Sequence, residues 1–257
     1  MKLAADMHVH TVLSPCASRE MTPPAIVREA SEKGIAVIAV CDHNTAGNVR
    51  AVMEAAASIP DGPAVIPGIE ITTVEEVHVL GWFRSSADAC AVSDEVGAGL
   101  PPWRPLAVRT AATAAASTLR EPEQQLMDAD GNQTGIETLM LAAASRYTLS
   151  ETVDLIHRHG GLSVAAHVDR RSFSVPGQLG FIPDDVPFDA LEISAAGAAR
   201  GRAADFLSHG LPLVSSSDCH FLQDMGSGFT MLEVPEPTFD EIAKALGNRG
   251  GRGCTIA

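Results

Sequence analysis

The chain predicts an α/β barrel, and three observations predict it. Strand-like and helix-like runs alternate along most of the 257 residues. Several strand-like runs are apolar without interruption, as in parallel strands buried on both faces. Runs along the chain end in His, Asp or Glu, and a barrel gathers the carboxyl ends of its strands at one mouth. With 46% hydrophobic residues the chain can bury a substantial core, in one large domain or two small ones. The barrel reading makes residues 1–257 one domain, with 85–150 as an insertion or cap.

The elements follow in order. Lys2–Ala5 opens a strand that runs into Asp6-Met7-His8-Val9-His10. Side chains alternate along a strand, so Asp6, His8 and His10 are expected on one face. Thr22-Pro23-Pro24 reads as a helix start and Gly34 as its stop. Ile35–Cys41 is an apolar run ending in Asp42-His43-Asn44. A helix is expected over 46–58, then strands over 64–71, carrying Glu70, and 77–83, carrying His78. Residues 85–150 break the rhythm; Asp128–Asn132 suggests a hairpin turn rather than a calcium loop, because the closing Glu is missing at the required spacing. A helix over 150–159 precedes the strand that ends in His167. Phe188–Ile193 is a strand carrying Glu192, 197–209 a helix, and 211–217 a strand leading into Asp218-Cys219-His220. A strand over 229–234 and a helix opened by Thr238 and Glu241 complete the reading.

The formal net charge of −14 disfavours duplex nucleic acid, since phosphate-backbone binding needs a basic surface. A small phosphorylated substrate held through a bound cation is the expected partner. Low aromatic content argues against an aromatic-lined single-strand groove. Five unpaired cysteines and the absence of a long apolar run predict reduced thiols, no membrane contact and a cytoplasmic location. The oligomeric state is not legible.

Mixed nitrogen and oxygen donors suit zinc, manganese or iron better than calcium. Asp42 and Asp6 read as residues that orient ligands, and Glu192 as either a group behind the ligands or filler at the mouth. His157, His159 and His209 read as structural. Arg170, close after His167, is the expected substrate contact.

The ordered set His8-x-His10, Asp42-His43-Asn44, Pro67-Gly68-Ile69-Glu70, Val77–Gly81, Ala166–Arg170 and Ser217–His220 resembles the PHP (polymerase and histidinol phosphatase) family. The resemblance implies a distorted (β/α)7 TIM-like barrel and two or three divalent ions at the strand carboxyl ends. It implies one ion held by His8, His10, Glu70 and Asp218, and a second held by Glu70, His78 and His167. A third position would be lined by His43, His220 and Cys16, where relatives often carry His or Asp. Asp218, His43 and His220 are the expected catalytic groups; His43 or His220 would protonate the leaving oxygen if the third ion is absent.

The expected reaction is hydrolysis of small phosphate monoesters. The alternatives are a phosphodiesterase or nuclease using the same metal site, and a non-catalytic metal-stabilised binding module.

Overall fold

The computed structural model describes residues 1–103 and 123–257. Residues 104–122, part of the expected 85–150 insertion, lie outside the described part. The strands are β1 (Lys2–Val9), β2 (Val37–Val40), β3 (Ala64–Thr72), β4 (His78–Trp82), β5 (Gln125–Met127), β6 (Gln133–Ile136), β7 (Leu162–Ala165), β8 (Ala190–Ser194), β9 (Leu213–Ser216), β10 (Thr230–Glu233) and β11 (Gly253–Ile256). The helices are α1 (Pro23–Glu32), α2 (Val49–Ala57), α3 (Ser86–Gly97), α4 (Leu149–Arg158), α5 (Val175–Leu179), α6 (Ala195–Ala199) and α7 (Phe239–Leu246).

Nine strands form one sheet in the order β11-β10-β1-β2-β3-β4-β7-β8-β9. The sheet curls until β9 returns to β1 and β10, a nearly closed TIM-like barrel of the expected kind. Three contacts make the seam. Val9 bridges to Cys219. The Thr230 hydroxyl accepts from the Ser215 N–H and donates to the Ser215 carbonyl. The buried Asp6 carboxylate accepts from the N–H groups of Ser217 and Gly226 at 2.9 and 2.8 Å.

Side-chain alternation divides the core into two layers. Ala5, Met7, Val37, Ala39, Cys41, Trp82 and Val164 pack in one cluster. Val9, Ile38, Val40, Ile69 and Ile71 pack in another, together with Ile26, Val27, Val49 and Val153 of the helices. The second is therefore the layer between sheet and helices.

Strict alternation fails in β1. Asp6 is paired with Ile38 but Val9 with Val40, so three steps on β1 match two on β2. This is a β-bulge, a device that re-aims side chains next to sites. Its displaced Met7 carbonyl is satisfied by the Trp82 indole N–H at 3.0 Å. The expectation that Asp6 shares the face of His8 and His10 is corrected here: the extra residue breaks the parity.

Three further differences have local causes. β4 runs antiparallel to both β3 and β7, because only a short turn separates it from β3 and short connections favour antiparallel pairing. The expected helix over 197–209 is broken: α6 ends at Ala199, Gly201 takes a left-handed φ of +71°, and a 3-10 helix covers Arg202–His209. Within 85–150, α3 packs on the barrel, capped by Ser85, whose hydroxyl accepts from the Asp88 N–H.

The expected hairpin is present as β5–β6, and the Asp128 carboxylate accepts from the N–H groups of Asp130 and Asn132 in its turn. This hairpin and the segment after it lie on the loops that follow β1 and β2. Asn48 donates to the Gln125 carbonyl and accepts from the Met127 N–H. Leu13 packs with Leu100 and Leu141 in a small separate cluster.

Candidate metal centre

The expected donors converge. Glu70 on β3 is 1% exposed and lies among five imidazoles. Its two oxygens face different groups. Oε1 is 2.7 Å from His78 Nδ1 and 3.4 Å from His167 Nε2. Oε2 is 2.9 Å from His43 Nδ1 and 3.4 Å from the Nε2 atoms of both His8 and His10. Asp218 Oδ1 approaches His10 Nε2 at 3.0 Å and His8 Nε2 at 3.3 Å.

The groups behind these donors fix which nitrogen each imidazole presents. His8 Nδ1 lies 3.1 Å from Glu192 Oε2, a carboxylate that can only accept, so His8 donates there. The same oxygen accepts the His167 N–H at 3.0 Å. The Asp42 carboxylate accepts from the N–H and hydroxyl of Thr11 and from the Ser14 hydroxyl. Ser14 Oγ is thereby left to accept from His10 Nδ1, 2.9 Å away. His220 Nδ1 donates to the Asp218 carbonyl at 2.9 Å. Asp42 thus orients His10 through Ser14, and Glu192 orients His8 directly, the usual arrangement behind metal-binding histidines.

As a result the Nε2 atoms of His8 and His10 face each other at 3.1 Å. Two lone pairs at that separation need a cation or a proton between them. Without metal, a proton serves. Burial pushes His8 down, but Glu192, Asp218 and Glu70 outweigh it and hold His8 well above its ordinary range. Burial, with His220 beside it, holds His10 well below. Burial also raises Glu70, but His78, His8 and His43 pull it well below the usual carboxylate range.

Glu70 Oε2 and His78 Nδ1 are buried and make no aligned hydrogen bond, as is true of His167 Nδ1. Buried polar atoms without partners are costly. A divalent ion satisfies such donors, and this N/O set suits zinc, manganese or iron. Among the described residues, donor atoms lie within 4.8 Å of one another in three groups able to hold an ion: His8 with His10 and Glu70, His43 with Glu70 and His78, and His10 with His43 and His220.

Cys16 lies on an exposed part of the loop after β1, against the third group. Burial of its thiol raises the pKa, but hydrogen bonds with His220 and His43 outweigh it and bring the thiol down to about 7. Arg170 Nη1 meets Asp218 Oδ2 at 2.6 Å, and its side chain is 41% exposed.

Two of the donor residues carry backbone strain. His167 and Asp218 have φ values of +30° and +51°. Non-glycine residues rarely take such values, which concentrate at functional sites. Here they turn each side chain inward as the chain leaves its strand.

Asp6 sits apart from this donor set, at the seam, where it anchors the residue before Asp218. His157 contacts Asp189, and His159 contacts Glu95, at the other end of α4 and β7. Sequence reasoning missed Thr11, Ser14, Asn44 and Asp169. Asn44 donates to the carbonyls of Leu141 and Ala143 and accepts from the Thr72 N–H. Asp169 accepts from the N–H and hydroxyl of Ser194. Hydroxyl and amide residues of this kind are common in loops, and only the strand-end position of Asn44 and Asp169 marked them.

Comparison with known proteins agrees with the barrel and the motifs. A sequence profile described as PHP-associated matches residues 198–249. A 79-residue stretch is 33% identical to the 5'-3' exoribonuclease Rnm of Salmonella typhimurium and of Escherichia coli, covering 30% of this chain and 26% of that protein. The chain therefore spans about a quarter of the length of these curated relatives. Among solved structures, the lesion-specific endonuclease PfuEndoQ from Pyrococcus furiosus superposes with a TM-score of 0.66 at 20% identity, over 99% of this chain and 58% of that one. Endonuclease Q in complex with a 27-mer duplex bearing an abasic lesion gives 0.71 at 21%, over 98% and 58%. A putative metal-dependent phosphoesterase from Bifidobacterium adolescentis gives 0.56 at 20%, over 84% and 87%.

The expected partner, a small phosphorylated substrate with duplex nucleic acid disfavoured, is overturned by this company: an exoribonuclease and an endonuclease bound to duplex DNA. The physical error was to let the average charge stand for the local one. The −14 is spread over the whole chain, whereas divalent ions and Arg170 would set the field at the mouth. Among the described residues, no helix is long and apolar enough to cross a membrane.

Proposed function

We propose that the chain is a PHP-type domain and that it is a metal-dependent phosphodiesterase that cleaves nucleic-acid strands. The observation that carries the reading is Glu70, whose two oxygens face two different sets of imidazoles. A carboxylate so placed suits ions held close together, and such pairs clamp both sides of an in-line phosphoryl displacement.

His8, His10, Glu70 and Asp218 would hold one ion, and Glu70, His78 and His167 a second. His43, His220 and Cys16 line the third position. When bound, the ions supply Lewis acidity and the activated nucleophile. The remaining work falls to the chain. Glu192 and the Asp42–Ser14 pair hold His8 and His10 in the tautomer that offers Nε2. Arg170 presents its exposed guanidinium to the non-bridging oxygens of a phosphate. Where the third position holds no ion, His220, with Nδ1 engaged by the Asp218 carbonyl, offers Nε2 as the atom that holds a proton for the leaving oxygen, and His43 is the other candidate.

The outermost donors reach solvent, so a phosphate carried on a strand has access to them. The side chains of His43, His78 and His220 are 13%, 11% and 21% exposed. The described parts of 85–150, packed on the loops after β1 and β2, would then act as a cap beside the strand's path.

The test is a cleavage panel with protein loaded in turn with manganese, zinc or iron. Short RNA and DNA single strands, lesion-bearing duplexes, nucleoside monophosphates and p-nitrophenyl phosphate are compared. Strand cleavage that disappears in Glu70→Gln supports the reading. Turnover confined to monoesters sinks it.

A further inference from the structure

Aromatic residues are scarce in this chain, which makes the position of an exposed one informative. Phe173 is 43% exposed, and its ring stacks on His78, with centroids 4.7 Å apart and planes at 23°. His78 is the imidazole nearest to Glu70 Oε1. The Phe173 ring therefore continues the metal centre outward, with one face on His78.

The loop that carries Phe173 is tied to the centre at both ends. The Phe173 carbonyl accepts the His78 N–H at 2.9 Å. Arg170 reaches Asp218, and the Ser174 hydroxyl donates to the Arg170 carbonyl at 2.6 Å. Phe173 itself has a φ of +57°. For a bulky side chain that is a strained conformation, and strain persists where the surroundings over-determine it. The fold thus holds a large apolar ring half in water, in an unfavourable backbone conformation, beside the donors. Burying it in the core would have relieved the exposure.

We infer that Phe173 is a stacking platform for an unpaired nucleobase next to the scissile phosphate, with Arg170 meeting that phosphate. The inference rests on the proposed strand-cleaving activity. Every base has a π-face, so a phenylalanine platform holds a strand without reading its sequence. A phosphate contact and a base contact three residues apart on one tethered loop would fix the strand's register over the ions. Phe173 is then a substrate-positioning group, not a proton carrier.

The experiment is a cycle between the ring and the base. Wild type, Phe173→Ala and Phe173→Trp are loaded with manganese. Binding is measured by fluorescence anisotropy on slowly cleaved, phosphorothioate-linked pentanucleotides in which each residue in turn is abasic. Cleavage is measured on the same series with natural linkages. In wild type, losing the base at one position should weaken binding by about fivefold to a hundredfold. In Phe173→Ala that ratio should fall to near one, and Phe173→Trp should restore it.

If Phe173→Ala weakens base-bearing and abasic strands alike, the ring merely supports His78 and the proposal is overturned, while strand cleavage by wild type would still stand. If the base dependence follows residue 173 but natural strands stay intact, the platform stands and the nuclease reading fails. If wild type binds no strand, both fall.

Discussion

Two histidine–carboxylate clusters lie at opposite ends of β7 and β8. Near the amino ends, His157 Nε2 lies 2.8 Å from Asp189 Oδ2 and 3.1 Å from the Ser163 hydroxyl. Near the carboxyl ends, His8 and the His167 N–H meet Glu192. The first trio has the composition of a hydrolase triad but not its geometry. Serine and aspartate share one ring nitrogen, whereas a triad needs them on opposite nitrogens. Its histidine and aspartate are each about one third exposed, and Asp189 also accepts the Ser163 N–H. The second cluster is buried: Glu192 satisfies His8 Nδ1 and the His167 N–H, but Glu70 Oε2, His78 Nδ1 and His167 Nδ1 beside it have no hydrogen-bond partner. The same residue types are therefore satisfied at one end and poised for a cation at the other. Position at the strand end and unmet valence make the site, not the residue list.

The largest expected effect tests that contrast directly. Glu70→Gln should lower strand cleavage by about 10²- to 10³-fold, the scale of losing one preorganised electrostatic group. Bound metal should fall with it in elemental analysis. Asp189→Asn, at the other end, should leave both metal content and turnover at wild-type levels. Equal losses in the two variants would erase the distinction.

Glu192→Gln comes next. It keeps the volume but weakens the acceptor for His8, and groups behind metal ligands typically change affinity or activity by about 10- to 100-fold. Metal titration should show weaker binding with the fold intact by circular dichroism.

The pH dependence of the metal-free protein sharpens the comparison further. Burial lowers His43, but the Glu70 carboxylate and the Cys16 hydrogen bond outweigh it and carry His43 up from 6.5 to about 10. Its protonated form therefore stabilises the fold fully below 6.5, and that contribution fades as pH rises through about 10. Thermal melts after chelation should show this alkaline loss. Melts of the metal-loaded protein should not, because the cation replaces the proton.

The smallest effect belongs to the amino-end cluster. His157→Ala removes a partly exposed pair and should cost less than about 1 kcal/mol in denaturant titration, with no change in cleavage.

Much of this site was legible in the sequence because its donors follow strand-like runs: His43 after Ile35–Cys41, His167 after Leu162–Ala166, Asp218 after Leu211–Ser217. Buried strands have few reasons to end in titratable groups other than chemistry. Glu192 was legible as a group of undecided role, and its two hydrogen bonds now define it. The β1 bulge was not legible. Met7 and His8 give no local sign that one of them is surplus to the ladder, because the pairing depends on β2. Ser14 was hidden for another reason: a serine in a Ser/Pro-rich loop looks like turn chemistry until Asp42 is folded against it. The partner reading failed because charge summed over a chain says little about the field in one cleft. Aromatic content is likewise a property of the whole chain and does not register where one exposed ring lies, here against His78.

The bulge has a genetic corollary. A lone extra residue lets β1 latch the barrel seam through Asp6 and still aim two imidazoles at the mouth. Loss of a single codon between those positions would not shorten a loop; it would force a choice between latch and ligands. The first ten codons should therefore tolerate substitution at Met7 far better than any deletion there.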